Sequence, residues 1–111
     1  ATPEYNSSIP GALKNALDWA SRPLGESALT GLPVAVIGAS TGRFGGVWAQ
    51  AELRKVLAAS GARVVDGELA VGQADKQIGP AGLADREAAE RLRSMLDVLA
   101  AEATARESIA A

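Results

Sequence analysis

The run Leu32-Pro33-Val34-Ala35-Val36-Ile37-Gly38 constrains the fold of this chain more than any other stretch. It is continuously apolar instead of alternating, the pattern of a strand covered on both faces, as in a parallel sheet. Pro33 suits only the beginning of such a strand, because it has no N–H to give to a ladder. Gly38–Gly46 follows, with four glycines in nine residues. A helix is then expected from about Gly46 to Ser60, with Ala49, Leu53, Val56 and Leu57 on one face and Gly61 as its stop. Ala62–Val65 reads as a short second strand, and Glu68–Val71 extends it after a kink at Gly67. A strand, a loop, a helix and a strand in that order define a right-handed α/β unit with parallel strands.

The flanking segments fit that unit. Thr2–Trp19 is a turn-rich polar loop running into an amphipathic helix that starts near Pro10, with Ser8 or Ile9 as its cap. Leu13, Ala16, Leu17 and Ala20 form its stripe, and Arg22-Pro23 ends it. Residues 72–84 read as a surface loop. Asp85 caps a last helix over 86–105, with a stripe of Ala88, Leu92, Met95, Leu96, Leu99 and Ala103, and 106–111 is expected to fray. Two strands cannot cover three amphipathic helices, and they would leave an apolar edge unpaired. The expectation is therefore one part of a larger domain whose missing strands precede Ala1.

Composition narrows the chemistry. The 111 residues carry no cysteine and no histidine, which removes thiol chemistry, cysteine-ligated metal and the commonest general base. Metal ligands and a catalytic side chain are accordingly assigned to none of its residues, and a cofactor is expected to supply any chemistry. The absence of cysteine also fits a reducing cytoplasm. A net charge of −2 with acids and bases mixed gives no nucleic-acid or membrane-surface footprint. No apolar run reaches about 18 residues, so no membrane-spanning helix is expected.

Two loops carry whatever function is legible. Glycines between a strand and a helix let a backbone approach a ligand closely, but Gly38–Gly46 matches neither a Walker A loop nor a GxGxxG fingerprint. By pattern alone it is either a ligand loop or a tight turn. Pro3–Ser8 is by pattern a surface turn, with Glu4 and Tyr5 as possible acid–base groups lacking a visible partner. Arg43 is either a phosphate contact or a solvated loop arginine. Trp19 reads as a core or interface residue, and Trp48 as an interface residue or a ligand wall. Loops at the carboxyl ends of adjacent parallel strands flank one crevice, so together the two could hold a flat heteroaromatic ring.

At these residues the chain resembles a known family. Pro3-Glu4-Tyr5-Asn6-x-Ser8-x-Pro10-Gly11-x-Leu13-Lys14-Asn15-Ala16-x-Asp18-Trp19 is similar to the signature of the NADPH-dependent FMN reductases, flavodoxin-like enzymes that include quinone, chromate and azo-dye reductases. Gly38-Ala39-Ser40-x-Gly42-x-x-Gly45-Gly46 with Ala49-Gln50 and Leu53-Arg54 resembles the family's next loop and helix, and Gly82-x-x-Asp85 also fits. The resemblance implies a flavodoxin-like α/β fold, a doubly wound parallel sheet in the order 2-1-3-4-5. Here strands 1 and 2 and most of strand 3 would be absent, with Ala1 and Thr2 ending strand 3, and residues 1–111 would be the C-terminal part of one FMN-binding domain. It implies FMN contacts from Pro3, Glu4, Tyr5, Asn6 and Ser7, and from Ser40, Thr41, Gly42, Gly45 and Gly46. The flavin phosphate would be held by a loop outside the chain. NADPH or NADH would deliver hydride to FMN, which passes it to a quinone-like or other small electron acceptor. A cytoplasmic homodimer or homotetramer is implied, without nucleic-acid or membrane partners. The competing expectation is a truncated or split remnant that only mediates association and binds no flavin.

Overall fold

The computed structural model of the protein describes residues 1–110. Its elements are α1 (Gly11–Ala20), β1 (Pro33–Val34), β2 (Gly38–Ala39), α2 (Val47–Ala59), β3 (Arg63–Val64), β4 (Ala70–Val71), α3 (Ala74–Gln77), β5 (Ile78–Gly79), β6 (Gly82–Leu83) and α4 (Arg86–Ala110). β1 pairs with β3 and β2 with β4, both in parallel. The two short pairings belong to two longer runs lying side by side. Pro33 stands opposite Arg63, whereas Gly38 stands opposite Ala70, so the second run holds two more residues than the first between these points. The surplus surrounds Gly67, whose φ of 130° only glycine adopts readily, and it is the expected kink.

A two-residue slip keeps the side-chain alternation in phase, and the packing depends on that. Val34 and Val36 of the first run, with Ala62 and Val64 of the second, meet Ile9, Leu13 and Leu17 and the buried face of α2, which is Ala49, Leu53 and Leu57. Ala35 and Ile37, with Leu69 and Val71, meet Met95, Ala88 and Leu92 of α4 on the opposite face. The continuous apolar run is thus explained: alternate residues feed two separate clusters. Each buried aliphatic side chain is worth about 1.5–3 kcal/mol, so the sandwich is the main stabilising feature of the chain.

Several expectations are corrected. The half-in residue of α1 is Pro10, and no side chain caps that helix. Ser8 is instead paired with Tyr5, its N–H to the Tyr5 carbonyl and its own carbonyl to the Tyr5 N–H. Residues 72–84 are not structureless. They contain α3 and the antiparallel hairpin β5–β6, closed by Ala84 N–H to the Gln77 carbonyl at 2.8 Å, with Pro80 and Ala81 in its turn. α4 begins as expected, with Asp85 Oδ1 accepting from Glu87 N–H, but its helix continues past 105 to Ala110, and Ala111 lies outside the described residues. Leu96 is 48% exposed and Ala103 is exposed, because the stripe is buried only where the sheet lies beneath it. Trp19 is 77% exposed, which rules out a place in the core of this chain. Ala1 and Thr2 join no ladder, although Thr2 is buried. Among the described residues no helix is long and apolar enough to cross a membrane.

Candidate functional site: two loops joined at a helix start

The first loop is a tight turn. Tyr5 and Ser8 exchange backbone hydrogen bonds of 2.9 and 3.1 Å, and the two residues between them, Asn6 and Ser7, have φ of 52° and 61°. Two positive φ angles in succession are the mark of a type I′ turn, and asparagine tolerates that conformation best among the non-glycine residues. The turn leaves Pro3, Tyr5, Asn6 and Ser7 exposed.

The second loop leaves β2 and is laced to the segment after β4. Ser40 donates its N–H to the Val71 carbonyl and accepts from Ala74 N–H, both at 2.9 Å, and the Gly42 carbonyl accepts from Gln73 N–H at 2.8 Å. The lacing is close enough to dictate glycine. At Gly45, φ is 63° and a Cβ would stand 2.5 Å from the Ala70 carbonyl carbon; at Gly72 one would stand 2.3 Å from the Arg43 carbonyl oxygen. Intrachain packing therefore accounts for Gly45 without a ligand. Gly42 differs, being exposed with only Ser40 Oγ near its missing Cβ, at 3.6 Å.

The two loops meet at the start of α2. Gly46 is the residue preceding the helix, in the left-handed region at φ 77°, and it has no side chain with which to cap. The cap comes from 45 residues upstream, where Glu4 Oε2 accepts the Ala49 N–H at 2.9 Å. The carboxylate of Glu4 is thus turned inward onto a helix N-terminus, which favours negative charge, and is not presented with the turn. Beneath the loop lies Gln50, with no exposed surface, donating Nε2–H to the Gly45 carbonyl at 3.2 Å. Its Oε1 is buried without a protein partner. Phe44 and Trp48 pack edge to face, 5.1 Å between ring centres, and both remain about half exposed.

The structure therefore brings Glu4 together with Gly46 and the head of α2, and Ser40, Thr41 and Gly42 together with the segment after β4. Residues not singled out for the site from composition or spacing are Gln50, Gly72 and Phe44, the ring packed against Trp48. Gln50 had a detectable signal: it shares the buried helical face with Leu53 and Leu57, a polar residue inside an apolar stripe. An apolar groove of about 630 Å3 lies elsewhere, between the hairpin and α4, lined by Ile78, Leu83, Leu92 and Leu96 among others, and it holds none of the expected site residues.

What fold and loops define is an α/β protein with two loops gathered beside a helix N-terminus at the carboxyl end of parallel strands, the usual ligand edge of such sheets. Residues 1–76 match the family described as NADPH-dependent FMN reductase, and the chain belongs to that family. A 2-hydroxy-1,4-benzoquinone reductase of a Burkholderia species is 61% identical over 57 residues, 51% of this chain and 31% of that protein. An NAD(P)H-dependent FMN reductase of Pseudomonas aeruginosa is 60% identical over 57 residues, 51% of this chain and 30% of that one. A quinone reductase of Escherichia coli is 52% identical over 56 residues, 50% and 29% of the two chains. Among solved structures, the flavoenzyme FerB of Paracoccus denitrificans, an NAD(P)H:(acceptor) oxidoreductase, superposes with a TM-score of 0.74 at 38% identity, over 88% of this chain and 55% of that one. The alignments to the named reductases thus span about 30% of their lengths. The family match ends at residue 76, before the hairpin and α4; the likeness to FerB takes in most of the chain.

Proposed function

We propose that this chain supplies one edge of the FMN site of an NAD(P)H-dependent oxidoreductase acting on quinone-like or other small acceptors. The observation that carries the reading is the junction of the two loops at α2, which turns two separate sequence motifs into one surface. That surface suits a flat, hydrogen-bonding ring. Within residues 3–8 and 40–46 the charged side chains are Glu4 and Arg43. With the Glu4 carboxylate engaged by Ala49 N–H, the exposed set is Pro3, Tyr5, Asn6, Ser7, Thr41, Gly42, Arg43 and Phe44. It is neutral apart from one cation, which suits negative charge building up on a ring that accepts hydride.

Bound FMN would supply the hydride chemistry, taking reducing equivalents from a nicotinamide and handing them to an acceptor. The residues here would bind and orient. Asn6 offers an amide that both donates and accepts, Gly42 leaves its backbone open to close approach, and Pro3, Glu4 and Ser7 would contribute backbone groups. Ser40, Gly45 and Gly46 set the loop's path. No residue of this chain is assigned a proton transfer.

The likeness to FerB supports a finer reading of the fold. In it the two longer runs are strands 4 and 5 of a flavodoxin-like sheet of order 2-1-3-4-5, and the whole is the C-terminal part of one domain. Exposed Trp19, Leu24 and Trp48 support a homodimer or homotetramer, since large exposed apolar side chains favour association. A cytoplasmic location accords with the lack of cysteine.

The test is a titration of FMN against the protein, followed by flavin fluorescence and by NAD(P)H oxidation with benzoquinone present. With the flavin phosphate expected to be held outside these residues, weak quenching that saturates only at high FMN, and is weaker still in Asn6→Ala, is expected. Fluorescence indifferent to protein would overturn the reading and favour a piece that only associates.

A further inference from the structure

We propose that Glu4 is a positioning residue, which caps α2 from a distance and thereby locks the Tyr5–Ser8 turn to the Ser40–Gly46 loop at one fixed separation. The proposal deepens the flavin reading above and rests on it for its functional consequence.

α2 needs such a cap. The first N–H groups of a helix have no intrahelical partner, and the residue before the helix normally offers a side-chain oxygen to the third helical N–H. Gly46 has none, and Val47, Trp48, Ala49 and Gln50 contain no acidic residue. Val47 N–H finds the Phe44 carbonyl at 3.2 Å, and Gln50 N–H begins the helical ladder at the Gly46 carbonyl. Ala49 is the third helical residue, and its N–H takes Glu4 Oε2. Glu4 therefore does what a serine or aspartate at position 46 would do. The Glu4 stem also lies over Gly46, its Cβ 3.9 Å from where a Gly46 Cβ would stand.

The linkage has consequences because of what adjoins each end. Glu4 directly precedes Tyr5, and the turn from Tyr5 to Ser8 is closed by two backbone bonds. At the other end Gly45 is held from beneath by Gln50 Nε2 and is wedged against Ala70. Each loop is tied by its own bonds and contacts, and the Glu4–Ala49 bond joins the first loop to the helix that follows the second. Releasing it frees one loop to move against the other while leaving both intact.

Three variants of the full 111-residue chain separate reach from charge. Glu4→Gln keeps an oxygen acceptor at the same reach without charge, Glu4→Asp keeps the charge one methylene short, and Glu4→Ala removes both. Amide hydrogen exchange read by NMR and FMN affinity read by flavin fluorescence are the two measurements. Under the proposal Glu4→Ala and Glu4→Asp each lose protection at Ala49 and weaken FMN binding by about tenfold, the size of a lost helix cap. Glu4→Gln stays within about threefold of the parent in both, as a neutral acceptor retains most of a cap's effect. Unchanged Ala49 protection in Glu4→Ala would overturn the proposal. So would FMN binding lost in Glu4→Gln with Ala49 still protected, which would mean that the charge acts on the flavin directly. Should the parent chain not bind FMN, the flavin reading fails, while exchange at Ala49 and at Tyr5–Ser8 still decides whether Glu4 couples the loops.

Discussion

Gln50 holds the Gly45 carbonyl with its side-chain Nε2 at 3.2 Å, from a position with no solvent exposure at all. A fully buried amide is costly unless it is bonded, and this one is bonded on one side only, its Oε1 having no protein partner. Gln50 also fills the space beside Gly38, whose Cβ, if present, would stand 2.8 Å from Nε2. It therefore supports the strand end and the loop at once.

Replacing Gln50 follows from that arrangement. Gln50→Ala removes the donor to Gly45 and leaves a cavity, and a loss of about 2–4 kcal/mol is expected. Gln50→Met fills most of the volume and removes the unpaired oxygen, so its loss should be smaller, about 1–2 kcal/mol. Urea denaturation of both variants measures the difference. Equal losses would show that the bond to Gly45, missing from both variants, is what matters and that the volume does not.

Gly45 and Gly42 should respond differently to the same methyl group. At Gly45 the new Cβ would meet backbone at 2.5 Å with φ already positive, and a loss of about 2 kcal/mol or more, or failure to fold, is expected. At Gly42 the nearest atom is 3.6 Å away on a side chain, and the change in stability should stay within about 1 kcal/mol. Thermal unfolding compares the two. A parallel FMN titration of Gly42→Ala then tests whether the open backbone at 42 is used by the ring, since stability would not be the cause of any weakening.

The sandwich itself can be tested on α4. Met95 is 4% exposed between Leu69 and Val71, whereas Leu96, its neighbour in sequence, is 48% exposed. Met95→Ala should cost about 2–4 kcal/mol, and Leu96→Ala about 1 kcal/mol or less. Comparable costs measured in urea would mean that the second cluster is not the core of this face.

The Asn6–Ser7 turn offers a stabilising substitution. Ser7 sits at φ 61°, where glycine is preferred, and Asn-Gly is the favoured pair for a type I′ turn. Ser7→Gly is expected to raise stability by up to about 1 kcal/mol, and Asn6→Val to lower it by about 1–2 kcal/mol. A Ser7→Gly variant melting below the parent would contradict the turn assigned here. Since Ser7 would contribute only backbone to the ring, FMN affinity should be unchanged in it.

Much of this molecule is decided by local sequence. The unbroken apolar run from Leu32 to Gly38 is explicable only as a strand with both faces covered, and both faces prove to be covered. Gly67 marked the kink in the second run, Asp85 the start of the last helix, and Gly61 the end of α2, because each acts through its own backbone or its nearest neighbours. The motifs around Tyr5 and Gly42 sufficed to indicate the family. Local signals failed where a distant partner competes. Ser8 is chemically the better cap for α1, yet its backbone is taken by Tyr5. Leu96 fits the helical stripe, but the sheet ends short of it. Gly45 resembles a ligand glycine, while Ala70, 25 positions away, is what forbids a side chain there. Glu4 is the clearest case. In sequence it is one carboxylate in a turn; its role appears only when the chain folds back and sets it against a helix whose own preceding residue, a glycine, cannot cap it. Periodicity and punctuation act over a few residues and are written in order along the chain, whereas a bond between residues 4 and 49 exists only once the packing has brought them together.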